Sequence, residues 1–196
     1  MGDKGDMGNK GNMGETKKKA GYEYLLAYKI TVPIYDLTVQ FCNRFIPKNS
    51  RTHDQMVQAA RSGMQNICEG NKQQGLKGYI KLSGVARGSL EELLKDYTAY
   101  ARQHEIAIWP KERVIGEIRE IGVIWEIIRK NPTLPDSPNF PGLPNPPDQS
   151  INLMITLINQ ANYLIDKLIV SLKDLHMRKG GLTEELYNAR KNYRGY

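Results

Sequence analysis

Apolar side chains recur every three to four positions along most of this chain, and nowhere do they alternate with a period of two over any length. That spacing predicts amphipathic helices and no sheet. A first helix is expected over 22–46, with Leu25, Tyr28, Val32, Tyr35, Val39, Cys42 and Phe45/Ile46 as its stripe. Pro33 lies inside that run and lacks a backbone N–H, so a kink is expected there. Pro47 closes the helix, and Lys48-Asn49-Ser50 makes the turn.

A second helix is expected over 51–69, with Met56, Ala59, Ala60, Gly63, Met64 and Ile67 inward. Small residues on that stripe let a neighbouring helix approach closely, and Gly70-Asn71 suits a left-handed C-cap. The third helix, from about 78 to 103, carries Tyr79, Leu82, Ala86, Leu90, Leu93, Tyr97 and Tyr100, with Gly84, Gly88 and Ser89 as a second small-residue patch. A mid-helix glycine costs about 1 kcal/mol relative to alanine. Gly63, Gly84 and Gly88 are therefore expected to stand where helices pack closely.

The pattern changes after residue 105. Trp109-Pro110 opens a helix over about 111–130, with Pro110 as its first residue and Ile115, Ile118, Ile121/Gly122, Trp125 and Ile128 on one face. Residues 131–149 hold seven of the ten prolines, which excludes a helix or a central strand and predicts an extended strap or linker. A last helix follows from Ser150, a suitable N-cap, to about Met177, and Gly180-Gly181 ends it. The expected fold is all-α: an antiparallel up-down four-helix bundle with an extra helix and a Pro-rich strap. Residues 1–21 read as a disordered low-complexity tail, with glycine at 2, 5, 8, 11 and 14 but no proline to support a collagen helix. The bundle spans 22–178, with 106–149 as an insertion, and 179–196 forms a basic C-terminal tail.

Charge changes this picture through its distribution. The net charge is +7, yet residues 44–88 hold eight basic residues against two acids, while 89–175 hold nine basic residues against twelve acids. One helical pair is thus positive and the remainder slightly negative, which directs a polyanion to one face. The cations expected to contact nucleic acid are Arg51, Arg61, Lys72, Lys77, Lys81 and Arg87. The competing reading is a solvated surface, or polar residues such as Arg61, Ser62, Asn66, Glu69, Arg87 and Ser89 pairing across a helix or subunit contact. Tyr22, Tyr24, Tyr79, Tyr97 and Tyr100 can stack on bases, or serve as core.

Catalytic patterns are missing. The chain has no Gly-x-Ser-x-Gly, no phosphate-binding glycine loop, no His-Glu-x-x-His and no Glu-x-x-His pair. Glu117 and Glu120 share a face with Arg113 and Arg119 nearby, as a solvated charged surface does. Cys42 and Cys68 sit among apolar residues, and His53, His104 and His176 are scattered, so no metal and no cofactor is expected. No stretch approaches the ~20 apolar residues of a membrane span, and no secretory h-region opens the chain. A cytoplasmic protein without enzymatic activity is expected.

Two motifs on adjacent predicted helices carry a resemblance. The first is Gln55, Ala59-Ala60-Arg61-Ser62, Asn66-Ile67 and Glu69-Gly70; the second is Ala86-Arg87-Gly88-Ser89-Leu90 with Glu92-Leu93. Together they resemble the four-helix-bundle family of proteins encoded in 23S ribosomal RNA intervening sequences, which includes the accessory variability proteins of diversity-generating retroelements. The resemblance covers about 40 residues well and reaches more loosely over the first helix and 151–175; residues 106–149 have no counterpart in the short members. It implies a homo-oligomeric ring, a pentamer, and for the retroelement members a basic surface offered to a reverse transcriptase and its RNA. Two functions compete: an accessory module bound to RNA or to a reverse-transcriptase-type partner, and a homo-oligomeric scaffold without nucleic-acid contact.

Overall fold

A computed structural model describes residues 19–194. Among them the regular structure is all helical, without strands: a 3-10 turn at Gly21–Tyr24, then α1 (Leu26–Phe45), α2 (Arg51–Asn71), α3 (Leu76–Gln103), α4 (Lys111–Glu117), α5 (Arg119–Lys130), α6 (Pro147–Lys179) and α7 (Leu182–Arg194). α2 packs on α1 and on α3, α3 packs on α6, and α6 closes back onto α1. The expected tail at 1–21 lies outside the described residues up to 18. Its last residues are ordered: Lys19 pairs with Asp136 at 2.7 Å, and Gly21 starts the 3-10 turn.

The core is built from α1 (Ile30, Ile34, Leu37, Phe41), α2 (Met56, Ala60, Ile67), α3 (Ala86, Leu90, Leu93, Tyr97) and α6 (Ile151, Met154, Ile158, Ala161, Ile165). On α1 this corrects the expected stripe. Tyr28, Val32, Tyr35 and Val39 are only half-buried, and the residues beside them point inward. The reason is that α1 is covered from three directions, by α2, α5 and α6. Its buried arc is therefore wide enough to include Lys29, Thr31 and Thr38. Pro33 is buried within the helix and does not end it.

The glycines divide into two kinds. A Cβ on Gly63 would lie 2.5 Å from Leu90 Cδ2, and one on Gly70 would lie 2.6 Å from Tyr79 Cδ2, so α2 and α3 touch nearly backbone to side chain. Ser62 and Ser89 hydroxyls meet at 2.8 Å in the same seam, and the Asn66 amide donates to the Ser62 hydroxyl. Gly84 and Gly88, by contrast, face open space. The close packing expected there is absent within the chain, because the α3 stripe turns Ala86 and Leu90 inward and leaves these glycines outward.

The inserted segment departs further from expectation. The single helix over 111–130 is two, broken at Ile118, whose extended backbone (φ −104°, ψ 98°) lets Val114, Ile118, Ile121, Ile124 and Ile128 all bury. Ile115 and Gly122, read as inward, are exposed, and Pro110 is the N-cap rather than the first helical residue. The helix α6 begins at Pro147, three residues before Ser150. The Ser150 hydroxyl donates to the Pro144 carbonyl at 2.6 Å instead of capping.

The strap between α5 and α6 is fastened to α1 by side chains donating to, or accepting from, its backbone. Lys29, only 4% exposed, donates to the carbonyls of Ile128, Asn131 and Pro132. Arg44 donates to the carbonyl of Pro144, and Gln40 accepts from the amide of Leu143 at 2.9 Å. Leu134 and Leu143 bury as its apolar anchors.

Candidate nucleic-acid interface

The six cations singled out in the sequence separate into three groups. Lys72 caps the C-terminus of α2, Lys77 stands in the first turn of α3, and Lys81 follows one turn later. All three are exposed, and no carboxylate lies within ion-pair distance of them among the described residues. The short connection between α2 and α3 thus gathers them at one end of the hairpin. A cation suits the negative end of α2, and the positive end of α3 adds to the local potential. Lys72 Nζ also stands 5.9 Å from the centre of the Tyr22 ring.

Arg51 lies at the opposite end. It is the first residue of α2, a helix of 21 residues and so about 30 Å long. Arg61 is exposed midway along the same helix. Arg87 belongs to neither group: it turns toward α6, where its Nη1 donates to Glu91 at 2.8 Å and its Nε to Asp166 at 3.2 Å. Burial works against its charge, but those two carboxylates outweigh it and hold the guanidinium above its ordinary pKa. Arg87 therefore ties α3 to α6 rather than presenting a free charge.

The tyrosines are mostly structural. Tyr97 is fully buried, with its hydroxyl donating to Thr38 at 3.2 Å, and burial drives its pKa well up. Tyr79 is buried beside Gly70, Tyr100 packs on Phe41, and Tyr22 stacks edge-on to Tyr28. Tyr24 is exposed. Cys42 is buried, its thiol pushed up to about 12 by burial and then by Asp96, and Cys68 is half-buried; both are free. Among the described residues no group of three or more His, Cys, Asp or Glu is placed to hold a metal ion, and no helix is long and apolar enough to cross a membrane.

Sequence reasoning missed the contribution of α6. Its end meets the α2–α3 turn: Leu175 and Gly180 line one cleft with Asn71, Gly75 and Tyr79. The last turn of α6 carries Arg178 and Lys179, so further cations stand at the lysine end of the hairpin. Arg178 is paired with Asp174. The basic run before Gly180-Gly181 is visible in the sequence, but its proximity to residues a hundred positions earlier is not.

Residues 23–123 match the family described as 23S rRNA-intervening sequence protein. The chain belongs to that family. The match takes in α1, α2 and α3 and runs through α4 into α5, so the first part of the expected insertion lies inside it, while the strap and α6 lie beyond. The family's name points to a small protein related to ribosomal RNA. No curated protein and no solved structure matches the chain.

Proposed function

We propose that this member of the 23S rRNA-intervening sequence protein family is a non-catalytic accessory module that docks on the phosphate backbone of RNA. Its frame is an antiparallel up-down four-helix bundle of α1, α2, α3 and α6. The observation that carries the reading is the grouping of Lys72, Lys77 and Lys81, exposed and without carboxylate partners, around the α2–α3 connection. Three such cations at a helix end neutralise phosphates without reading bases. The same surface serves a protein partner of the reverse-transcriptase type, since its bound RNA offers the same phosphates. Arg51, Arg61 and Arg87 lie outside this patch.

Binding to a structured RNA measured across a range of salt tests the proposal. The wild type binds with a steep salt dependence. Replacing Lys72, Lys77 and Lys81 by Glu weakens binding to every sequence and flattens the slope of log affinity against log salt by about 2–3. Arg51→Glu, at the far end of α2, leaves affinity within about twofold, as expected beyond a Debye length of roughly 10 Å. No binding at low salt overturns direct RNA contact, and binding indifferent to the triple charge reversal overturns these lysines as its site.

A second reading, a homo-oligomeric scaffold without nucleic-acid contact, is favoured by one observation. The inserted segment leaves an apolar groove open beside α6.

A further inference from the structure

Two apolar surfaces of this protein are left largely without partners in the chain, and the shorter fits within the length of the longer. The first is a groove of about 830 Å³ between α6, over Ile155 to Leu164, and the inserted helices α4 and α5. Ile108, Ile115 and Tyr163 on its margins are 54, 55 and 61% exposed, a concentration of large apolar side chains that a soluble surface seldom leaves uncovered. Its aromatic walls are held in place. Trp125 donates its indole N–H to Gln160 at 2.7 Å, and the Trp109 amide donates to the buried Asn152 side chain at 2.7 Å. Arg113 covers the outer side of the Trp109 ring at 3.9 Å. A groove so braced needs little reordering to accept an occupant.

The second surface is on α7. Leu182, Leu186, Ala189 and Tyr193 follow one another at four, three and four residues, which places them on a single helical face. None of the residues of α7 is buried, and beyond the first turn, where Leu182 and Glu185 meet the α2–α3 connection, no other helix covers it. Beyond Leu182, the uncovered part of the stripe from Leu186 to Tyr193 runs about 10 Å, which fits within the roughly 14 Å of groove along α6.

The chain cannot fill its own groove with its own α7. Lys179, where α6 ends, is about 22 Å along the helix from Leu164. The helix α7 is 13 residues, about 20 Å, and is joined to α6 through Gly180 and Gly181 only. Folded straight back along α6, it would stop short of Leu164 and never overlie Ile155 to Leu164. A helix of this length and pattern reaches the groove only from another molecule.

We infer that α7 of one copy of this chain docks in the α4–α5–α6 groove of a second copy, apolar stripe inward. The contact is a helix laid in a preformed groove, with Leu186 and Tyr193 as its anchors. Because each chain carries both a groove and a helix, the contact repeats in every copy. It deepens the homo-oligomeric reading and uses none of Lys72, Lys77 and Lys81, so their charge reversal tests RNA docking without removing either half of this contact.

Sedimentation velocity of the full-length protein over a wide concentration range tests this. The wild type assembles as concentration rises. Leu186→Asp on the exposed helix, and Ile115→Asp on the exposed groove margin, each weaken assembly by about tenfold or more, as loss of a central anchor does. Both sites are solvent-exposed, so helicity by circular dichroism stays that of the wild type. An equimolar mixture of the two variants sediments faster than either alone, because the Ile115→Asp chain supplies an intact α7 to the intact groove of the Leu186→Asp chain. A wild type that stays monomeric overturns the inference. So does assembly that ignores Leu186→Asp, or a mixture no heavier than its parts.

Discussion

The α2–α3 hairpin and the strap over α1 are held by opposite means. In the hairpin, each helix satisfies its own backbone, and what remains is shape: Gly63 against Leu90, Gly70 against Tyr79, Ser62 against Ser89. In the strap, the prolines remove donors and prevent a helix, so carbonyls and amides are left over and must find side chains. Lys29, Gln40, Arg44 and Ser150 supply them. The difference teaches where each kind of residue is needed. A helical seam selects for small size, and a non-helical segment laid on a helix selects for donors in an otherwise apolar face.

Three substitutions sharpen that contrast. The largest effect is expected from Gly63→Leu, which drives a side chain into Leu90 in a seam with no spare room. It costs about 3 kcal/mol, read from the midpoint of denaturant unfolding. A loss below 1 kcal/mol would mean the seam yields more easily than its contacts show.

Next comes Lys29→Met, which keeps the length of the side chain but removes the donor to three carbonyls. Burial holds the Lys29 ammonium below its ordinary pKa, so part of its hydrogen bonding offsets its own desolvation. The net loss is expected at about 2 kcal/mol, with faster amide exchange in 131–146 than in α2 and α3. Uniform acceleration across the molecule would instead make Lys29 a general core residue.

The smallest effect has the opposite sign. Gly88→Ala on the open side of α3 meets nothing within 4 Å and is expected to stabilise the protein by about 0.5–1 kcal/mol. Destabilisation would show that another molecule covers this face.

The helical class, the elements α2 and α3 and the lysines at their junction were legible because they depend on neighbours three to five residues apart. A helix buries one side, and its sequence must display that side at the helical period. Legibility failed where a residue is surrounded by more than one partner. On α1, contact on three sides blurred the stripe, so Tyr28, Val32, Tyr35 and Val39 looked inward while Ile30, Ile34 and Leu37 do the packing. On the inserted segment, the break at Ile118 exchanges Ile115 for Val114, a choice invisible to any single period. The C-terminal residues looked like a basic tail because their charges are conspicuous; their Leu182–Leu186–Ala189–Tyr193 spacing was the overlooked signal of α7.

The sequence by itself determined that this chain is helical, where its glycines and prolines interrupt it, and that its cations concentrate between residues 44 and 88. Those properties are local, set by backbone propensity, side-chain period and composition. Only the tertiary structure decided which cations are free. It paired Arg87 with Glu91 and Asp166, set Arg51 at the far end of α2, and brought the last turn of α6 to the side of the hairpin where Lys72, Lys77 and Lys81 stand. Charge acts through space at distances of a few ångströms, and which residues share those few ångströms is settled by packing between segments far apart in the chain.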